Sequence, residues 1–318
     1  MPDQTLDLEA TQPFTVEPQD GKPKLTWAKV LSAILSLLVI AAALNQARSV
    51  DLATMTRLVP TTPAFWALFC MGYLAGPLSE WLIFRRLWHV GPGALSALVR
   101  KLIYNELLVG YLGEIYFYSW ARKHLRFVTT PFGAVKDVAI MSALAGNVMT
   151  LVFLAMSLPF VALLPAHDHA VAIGWSFAFV VATSFAAMLW RNSIFSLEGV
   201  ELKLIFGIHI GRILATTSLA AMLWHMVLPD TPIGWWLVLA TLRLLISRLP
   251  FVTNKDVIFA GVAVLAVGED GRLAALMAMM AVFTLVTHVL VGLTFAIVDL
   301  AHGGGNAIRR TNLEGHIT

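Results

Sequence analysis

Cysteine is almost missing from this chain: Cys70 stands alone among 318 residues. One thiol closes no internal disulfide and builds no thiolate metal site, which excludes a disulfide scaffold and a zinc-ribbon architecture. Lying in an apolar stretch, Cys70 reads as a small buried hydrophobe. Charge is the second scarcity. Only 13% of the residues are charged while 58% are hydrophobic, against about 25% charged in an ordinary soluble domain. A water-soluble domain and a disordered chain are both excluded. The apolar residues form long continuous runs, not the short alternating segments of an outer-membrane barrel. What remains is an all-α, polytopic integral membrane protein.

Catalytic signatures are scarce too. There is no His-Glu-x-x-His helix, no Gly-x-Ser-x-Gly elbow and no phosphate-binding loop. Paired Asp-rich motifs of the kind prenyl-lipid transferases carry are missing, and the first outer loop holds Asp51 without an acidic partner. His167, Asp168 and His169 cluster in a short loop but read as solvated rather than as metal ligands. The expectation is a protein with no cofactor, no metal and no catalytic motif, so a transporter more than an enzyme.

The charges present are unevenly placed. Residues 1–24 hold Asp3, Asp7, Glu9, Glu17 and Asp20 against Lys22 and Lys24, a net −3 where the whole chain carries +3. With four prolines and no basic start, this stretch reads as a disordered cytoplasmic tail and not as a signal peptide. A single transmembrane domain follows over 25–300, and 301–318 form a polar C-terminal tail. Apolar segments fall at 27–44, 63–84, 102–120, 138–164, 170–190, 204–228, 233–249, 257–267 and 273–298. Since a crossing needs about 20 apolar residues, they amount to about seven to nine transmembrane segments.

Two segments are interrupted. The 102–120 stretch contains Asn105, Glu106, Gly110, Gly113 and Glu114, and basic groups flank it on both sides: Arg85, Arg86, Arg100 and Lys101 before, Arg122, Lys123, Arg126 and Lys136 after. Basic loops stay in the cytoplasm, which places the N-terminus there. A full crossing puts one basic group on the wrong side; a re-entrant hairpin turning at Gly110–Gly113 satisfies both. A tilted complete crossing is the alternative. The second interruption begins at Leu249-Pro250, passes Asn254, Lys255 and Asp256, and ends at Gly268-Glu269-Asp270-Gly271-Arg272. Paired interrupted segments in the two halves of a chain point to a transporter's central site. With both segments re-entrant the C-terminus falls outside, yet Arg309-Arg310 favours inside. The sequence leaves this parity open.

The string from Asn105 through Gly110 to Gly113-Glu114, then a basic loop and Ala134-Val135-Lys136-Asp137, resembles the first hairpin of the lysylphosphatidylglycerol synthase membrane domain. Arg248-Leu249-Pro250-Phe251 through Lys255-Asp256, with the helix after it, resembles that family's second hairpin. The sequence departs where Val109-Gly110 replaces a proline and where Thr253-Asn254 replaces glycines. The matched stretches cover about half the chain, and the family's soluble aminoacyl-transferase domain has no counterpart in it. The resemblance implies lipid handling and transbilayer movement, flippase-like, without the synthase chemistry.

A charged side chain inside a span costs about 2.5–3.5 kcal/mol, so each needs a partner or a purpose. Glu106 and Glu114 face a cavity or a structural ion pair; Arg100, Lys101, Arg122 and Lys123 lie at the hairpin mouths; Arg212 reaches a phosphate or snorkels to the interface. Arg243 and Arg248 precede the second break, and Lys255 and Asp256 follow it. Together these eleven form the candidate headgroup site, since arginine suits bidentate phosphate recognition. His225 and His288 read as interhelical hydrogen-bonding groups. Trp81, Trp88, Tyr116, Tyr118 and Trp120 read as an interfacial belt. The expected partners are anionic membrane lipids and no nucleic acid, and the expected location is the plasma (inner) membrane. A lipid-modifying transferase with Glu106 or Glu114 as base, and a non-catalytic partner in an envelope-polysaccharide or lipid export complex, are the alternatives.

Overall fold

Long apolar runs, free of period-two alternation, satisfy their backbone polar groups internally as helices. The computed structural model describes residues 56–108, 112–125, 131–163, 195–248, 254–267 and 271–314, and among these every regular element is helical. The expected segments at 27–44 and 170–190 and the 167–169 loop lie outside the described residues. In chain order the helices are α1 Pro63–Trp88, α2 Ala94–Leu107, α3 Leu112–His124, α4 Phe132–Ser157, α5 Gly199–Val227, α6 Ile233–Ser247, α7 Lys255–Val267 and α8 Gly271–Glu314, with a 3₁₀ turn Leu158–Leu163 extending α4. Among the described residues four stretches are long and apolar enough to cross a membrane: Pro63–Trp88, Phe132–Phe160, Gly199–Val227 and Gly271–Asp299. Among the described residues the chain is all-helical, and these four candidate spans suggest a membrane protein.

The interrupted segments are pairs of short helices. At 1.5 Å per residue α2 and α3 are each about 20 Å long, as are α6 and α7, short of the roughly 30 Å hydrocarbon layer. Within the first pair, Tyr104 meets Tyr116 edge-on at 4.9 Å and Asn105 meets Gly113, the register of antiparallel neighbours. Within the second, Arg243 pairs with Asp256 and Ser247 with Lys255, again antiparallel.

The long helices share an axis sense that matters for the site. Gly72 packs on Leu219 and Phe69 on Leu223, so α1 and α5 run antiparallel. Tyr73 meets His288 and Phe69 meets Phe283, so α1 and α8 run parallel.

Several sequence expectations are corrected. Arg85 and Arg86 belong to the last turn of α1, and Arg100 and Lys101 lie inside α2 instead of in a loop. Lys101 is buried, because two carboxylates hold it there. Cys70 is exposed on α1, and His225 is exposed near the end of α5. Trp88 stacks on buried Phe117 (6.2 Å), fastening α1 to α3, and Trp120 stacks on the same ring from within α3 (5.6 Å). α4 starts at Phe132, six residues before the apolar run, and so carries Asp137 into its second turn. That fully buried carboxylate accepts the Ser196 and Leu197 N–H groups at 2.6 and 2.8 Å and pins the segment leading into α5.

Asn254 sits just before α7 at φ 50°, a left-handed conformation that asparagine tolerates and β-branched residues resist. Asn254→Gly is expected to be tolerated, whereas Asn254→Val is expected to cost about 1–2 kcal/mol. Thermal unfolding of the two variants in one detergent checks this; equal melting temperatures would count against it.

Candidate functional site

A cavity of about 340 Å³ opens where the two short-helix pairs meet α1, α5 and α8. The pairs touch at their breaks. The Asn254 N–H donates to the Glu106 carbonyl (3.2 Å), joining the end of α2 to the start of α7. Glu106 has Asp256, Lys255 and Arg243 as charged neighbours, and the Lys255 backbone N–H bonds its side chain. Carboxylates are favoured at a helix start, where unpaired N–H groups point outward.

Cations dominate this end of the cavity. Arg212, Arg243, Arg248 and Lys255 line it together with the carboxylates Glu106 and Asp256. Arg243 Nε donates to Asp256 Oδ1 at 2.9 Å, which neutralises that pair. Lys255 Nζ donates to the Ser247 carbonyl (2.9 Å). The Arg248 guanidinium bonds the Ser247 hydroxyl and lies directly over Gly146 of α4, where a methyl group would collide with it. Arg212 reaches Ser142 through Nη2 (3.1 Å), and its buried Nε has no hydrogen-bond partner. The Tyr73 hydroxyl and His288 Nδ1 share a 3.0 Å hydrogen bond between α1 and α8, the interhelical role expected of that histidine.

The other end is apolar. Phe69, Leu223, Trp224, Phe259, Met277 and Met280 line it. The shared axis sense of the helices creates the gradient: going from Arg212 to Trp224 on α5, from Tyr73 to Phe69 on α1 and from His288 to Met277 on α8 leads from polar to apolar every time. On α7 the step from Asp256 to Phe259 does the same. The cavity is therefore amphiphilic along its length.

Six of the eleven candidate residues, Glu106, Arg212, Arg243, Arg248, Lys255 and Asp256, converge on this cavity. The other five do not line it. Lys101 Nζ contacts Glu80 at 2.8 and 2.9 Å and Glu114 at 3.4 Å, a three-helix ion cluster on the hairpin. Arg100 forks onto Asp299 of α8 (Nη2 to Oδ1 2.8 Å) and lies 4.3 Å over the Phe295 ring. Arg122 and Lys123 are exposed at the end of α3. Sequence reasoning missed Tyr73 as a cavity residue and Glu80 as the partner of Lys101. An acidic residue inside an apolar span was the available signal for Glu80. Comparison with family models, with curated proteins and with solved structures finds no match for this chain.

Proposed function

We propose that this chain is a lipid transporter whose cavity seats an anionic headgroup, with α2–α3 and α6–α7 acting as re-entrant hairpins that meet inside the bilayer. The carrying observation is the amphiphilic cavity: four cationic side chains at one end, with Asp256 already matched by Arg243, and an apolar lining at the other. Among the described residues lining the cavity, four cations face two carboxylates, and an intramembrane cation marks an anion path. A phosphate between Arg212, Arg248 and Lys255 would gain charge-assisted hydrogen bonds, while the lining of Phe69, Trp224 and Met280 would receive the start of an acyl chain. A volume near the low end of small-molecule pockets fits a headgroup and leaves the tails to the lipid phase. The resemblance to the lysylphosphatidylglycerol synthase membrane domain points the same way. In this reading Lys101, Glu80 and Glu114 hold the first hairpin, Arg100 ties its first helix to α8, and Arg122 and Lys123 sit at its outer end.

Reconstituted vesicles carrying a reporter phospholipid test it by the rate at which headgroups become accessible across the bilayer. Arg212→Gln and Arg248→Gln are expected to weaken headgroup binding by about tenfold to a hundredfold, since a hydrogen bond to a charged group is worth about 1.5–3 kcal/mol. The exchange rate should fall with it. Gly146→Ala, which displaces the Arg248 guanidinium without removing it, is expected to give an intermediate loss. Wild-type rates in all three variants would sink the assignment.

A further inference from the structure

Away from the cavity, the ends of four helices gather into one polar surface. Ile83 and Phe84 near the end of α1, Phe117 of α3, Val135 of α4 and Leu202 of α5 share one buried cluster. Arg86 reaches across to Glu201 at 3.9 Å, and the Asp137 carboxylate holds the Ser196 and Leu197 N–H groups, so the end of α1 and the starts of α4 and α5 lie together. Arg85, Arg86, Arg122, Lys123 and Lys203 are exposed on this surface. Against these five cations stand two carboxylates at the start of α5, Glu198 and Glu201, while Lys136 and Asp137 balance each other at 3.5 Å. Of the five, only Arg86 has a carboxylate partner among the described residues. The Arg85 guanidinium rests 5.0 Å over the Trp81 ring and that of Arg122 5.9 Å over Tyr118. Such stacking holds a cation in place and leaves its N–H edge to an incoming carboxylate.

The opposite charge is found in the same chain. Residues 1–24 lie outside the described residues and hold Asp3, Asp7, Glu9, Glu17 and Asp20 against Lys22 and Lys24. The crossing expected of 27–44 and the return made by α1 bring the two charges to one side of the membrane: the acidic segment before the crossing, the end of α1 after the return. Fully extended, such a segment reaches about 80 Å, several times the spacing of about 10 Å between packed helices. Tethering holds its effective concentration on the order of millimolar. We propose that the acidic segment 1–24 docks on this basic surface of its own chain, its carboxylates meeting Arg85, Arg122, Lys123 and Lys203. A docked segment keeps anionic headgroups off the surface beside the first hairpin, and its release lets the protein draw anionic lipid there. The proposal is independent of the headgroup reading of the cavity.

The full-length chain, with Cys70→Ser and spin labels at Thr11→Cys and Val200→Cys, is placed in nanodiscs of neutral lipid, and the distance between the labels is read by pulsed electron resonance. Val200 is uncharged and exposed at the start of α5, on the basic surface itself. At low salt the distribution is expected to be narrower than the spread of about 22 Å that a free chain from Thr11 to Trp27 would give. At about 1 M salt, where charges are screened beyond about 3 Å, it should broaden to that spread. Neutralising the segment by Asp3→Asn, Asp7→Asn, Glu9→Gln, Glu17→Gln and Asp20→Asn alters none of the described residues and is expected to give the broad distribution at low salt. Arg122→Gln with Lys123→Gln, both exposed, should broaden it in part. A broad distribution in the labelled parent at low salt overturns the proposal, and so does a narrow one that survives either high salt or the neutralised segment. Nanodiscs of phosphatidylglycerol decide between occupants: a distribution that stays narrow there supports the docked segment, and one that broadens assigns the surface to lipid headgroups and overturns it.

Discussion

Lys101→Met is expected to lower stability by about 3–5 kcal/mol, the usual consequence of removing one partner from a buried charge cluster. The ammonium is 5% exposed and lies 2.8 and 2.9 Å from the two Glu80 oxygens and 3.4 Å from Glu114. Glu80 belongs to α1, Lys101 to α2 and Glu114 to α3, so one cation ties three helices. Glu114 Oε2 already lacks a hydrogen-bond partner, and without the lysine two half-buried carboxylates would face each other unmatched. Methionine keeps the length of the side chain, so the loss reports charge and not volume. Thermal unfolding in detergent measures it. The double variant Lys101→Met with Glu80→Leu is expected to recover a large part of the loss, because it removes the stranded carboxylate as well. A Lys101→Met protein that melts with the wild type would show that the cluster holds nothing.

The architecture was legible where composition itself changes. Gly110 and Gly113 marked the first break and Leu249-Pro250 the second, since glycine and proline interrupt apolar runs for reasons local to the residue. The cavity residues Glu106, Arg212, Arg243, Arg248, Lys255 and Asp256 were legible because a charge in an apolar stretch stands out whatever surrounds it. Partnerships were not. Lys101 looked like part of a basic loop because Glu80 lies 21 residues away, and Tyr73 and His288 are 215 residues apart. Such pairs exist only after α1 has packed on α2 and α8. The amphiphilic gradient of the cavity was hidden for the same reason. Each helix carries its own polar-to-apolar step, and only the parallel and antiparallel senses of α1, α5 and α8 align the steps. The early start of α4 escaped because Lys136-Asp137 in its second turn separates Phe132–Val135 from the long apolar run, whereas Asp137 has its effect through backbone N–H groups some 60 residues away.

Gly113→Ala is expected to cost about 3 kcal/mol or more, at or beyond the upper end of overpacking penalties. A methyl group there would fall well inside contact distance of the Lys101 carbonyl oxygen and 2.7 Å from Asn105 Oδ1. A backbone oxygen within a helix cannot rotate aside, so α2 and α3 would have to separate. Separation stretches the Gly113 N–H to Asn105 Oδ1 bond (2.8 Å), the Asn105 contact with Glu114 and the edge-on Tyr104–Tyr116 pair. It also moves the end of α2, and with it the Glu106 carbonyl that accepts the Asn254 N–H, so the second hairpin loses its register against the first. Gly207→Ala is the matched control: among the described residues nothing lies within 4 Å of its added methyl group. There alanine should be neutral or stabilising through its better helix propensity, by up to about 1 kcal/mol. Melting temperatures measured side by side in detergent should therefore place Gly113→Ala well below the wild type and Gly207→Ala at or above it. Equal melting temperatures would mean that α2 and α3 do not close on each other at Gly113, and the hairpin geometry on which the cavity depends would have to be redrawn.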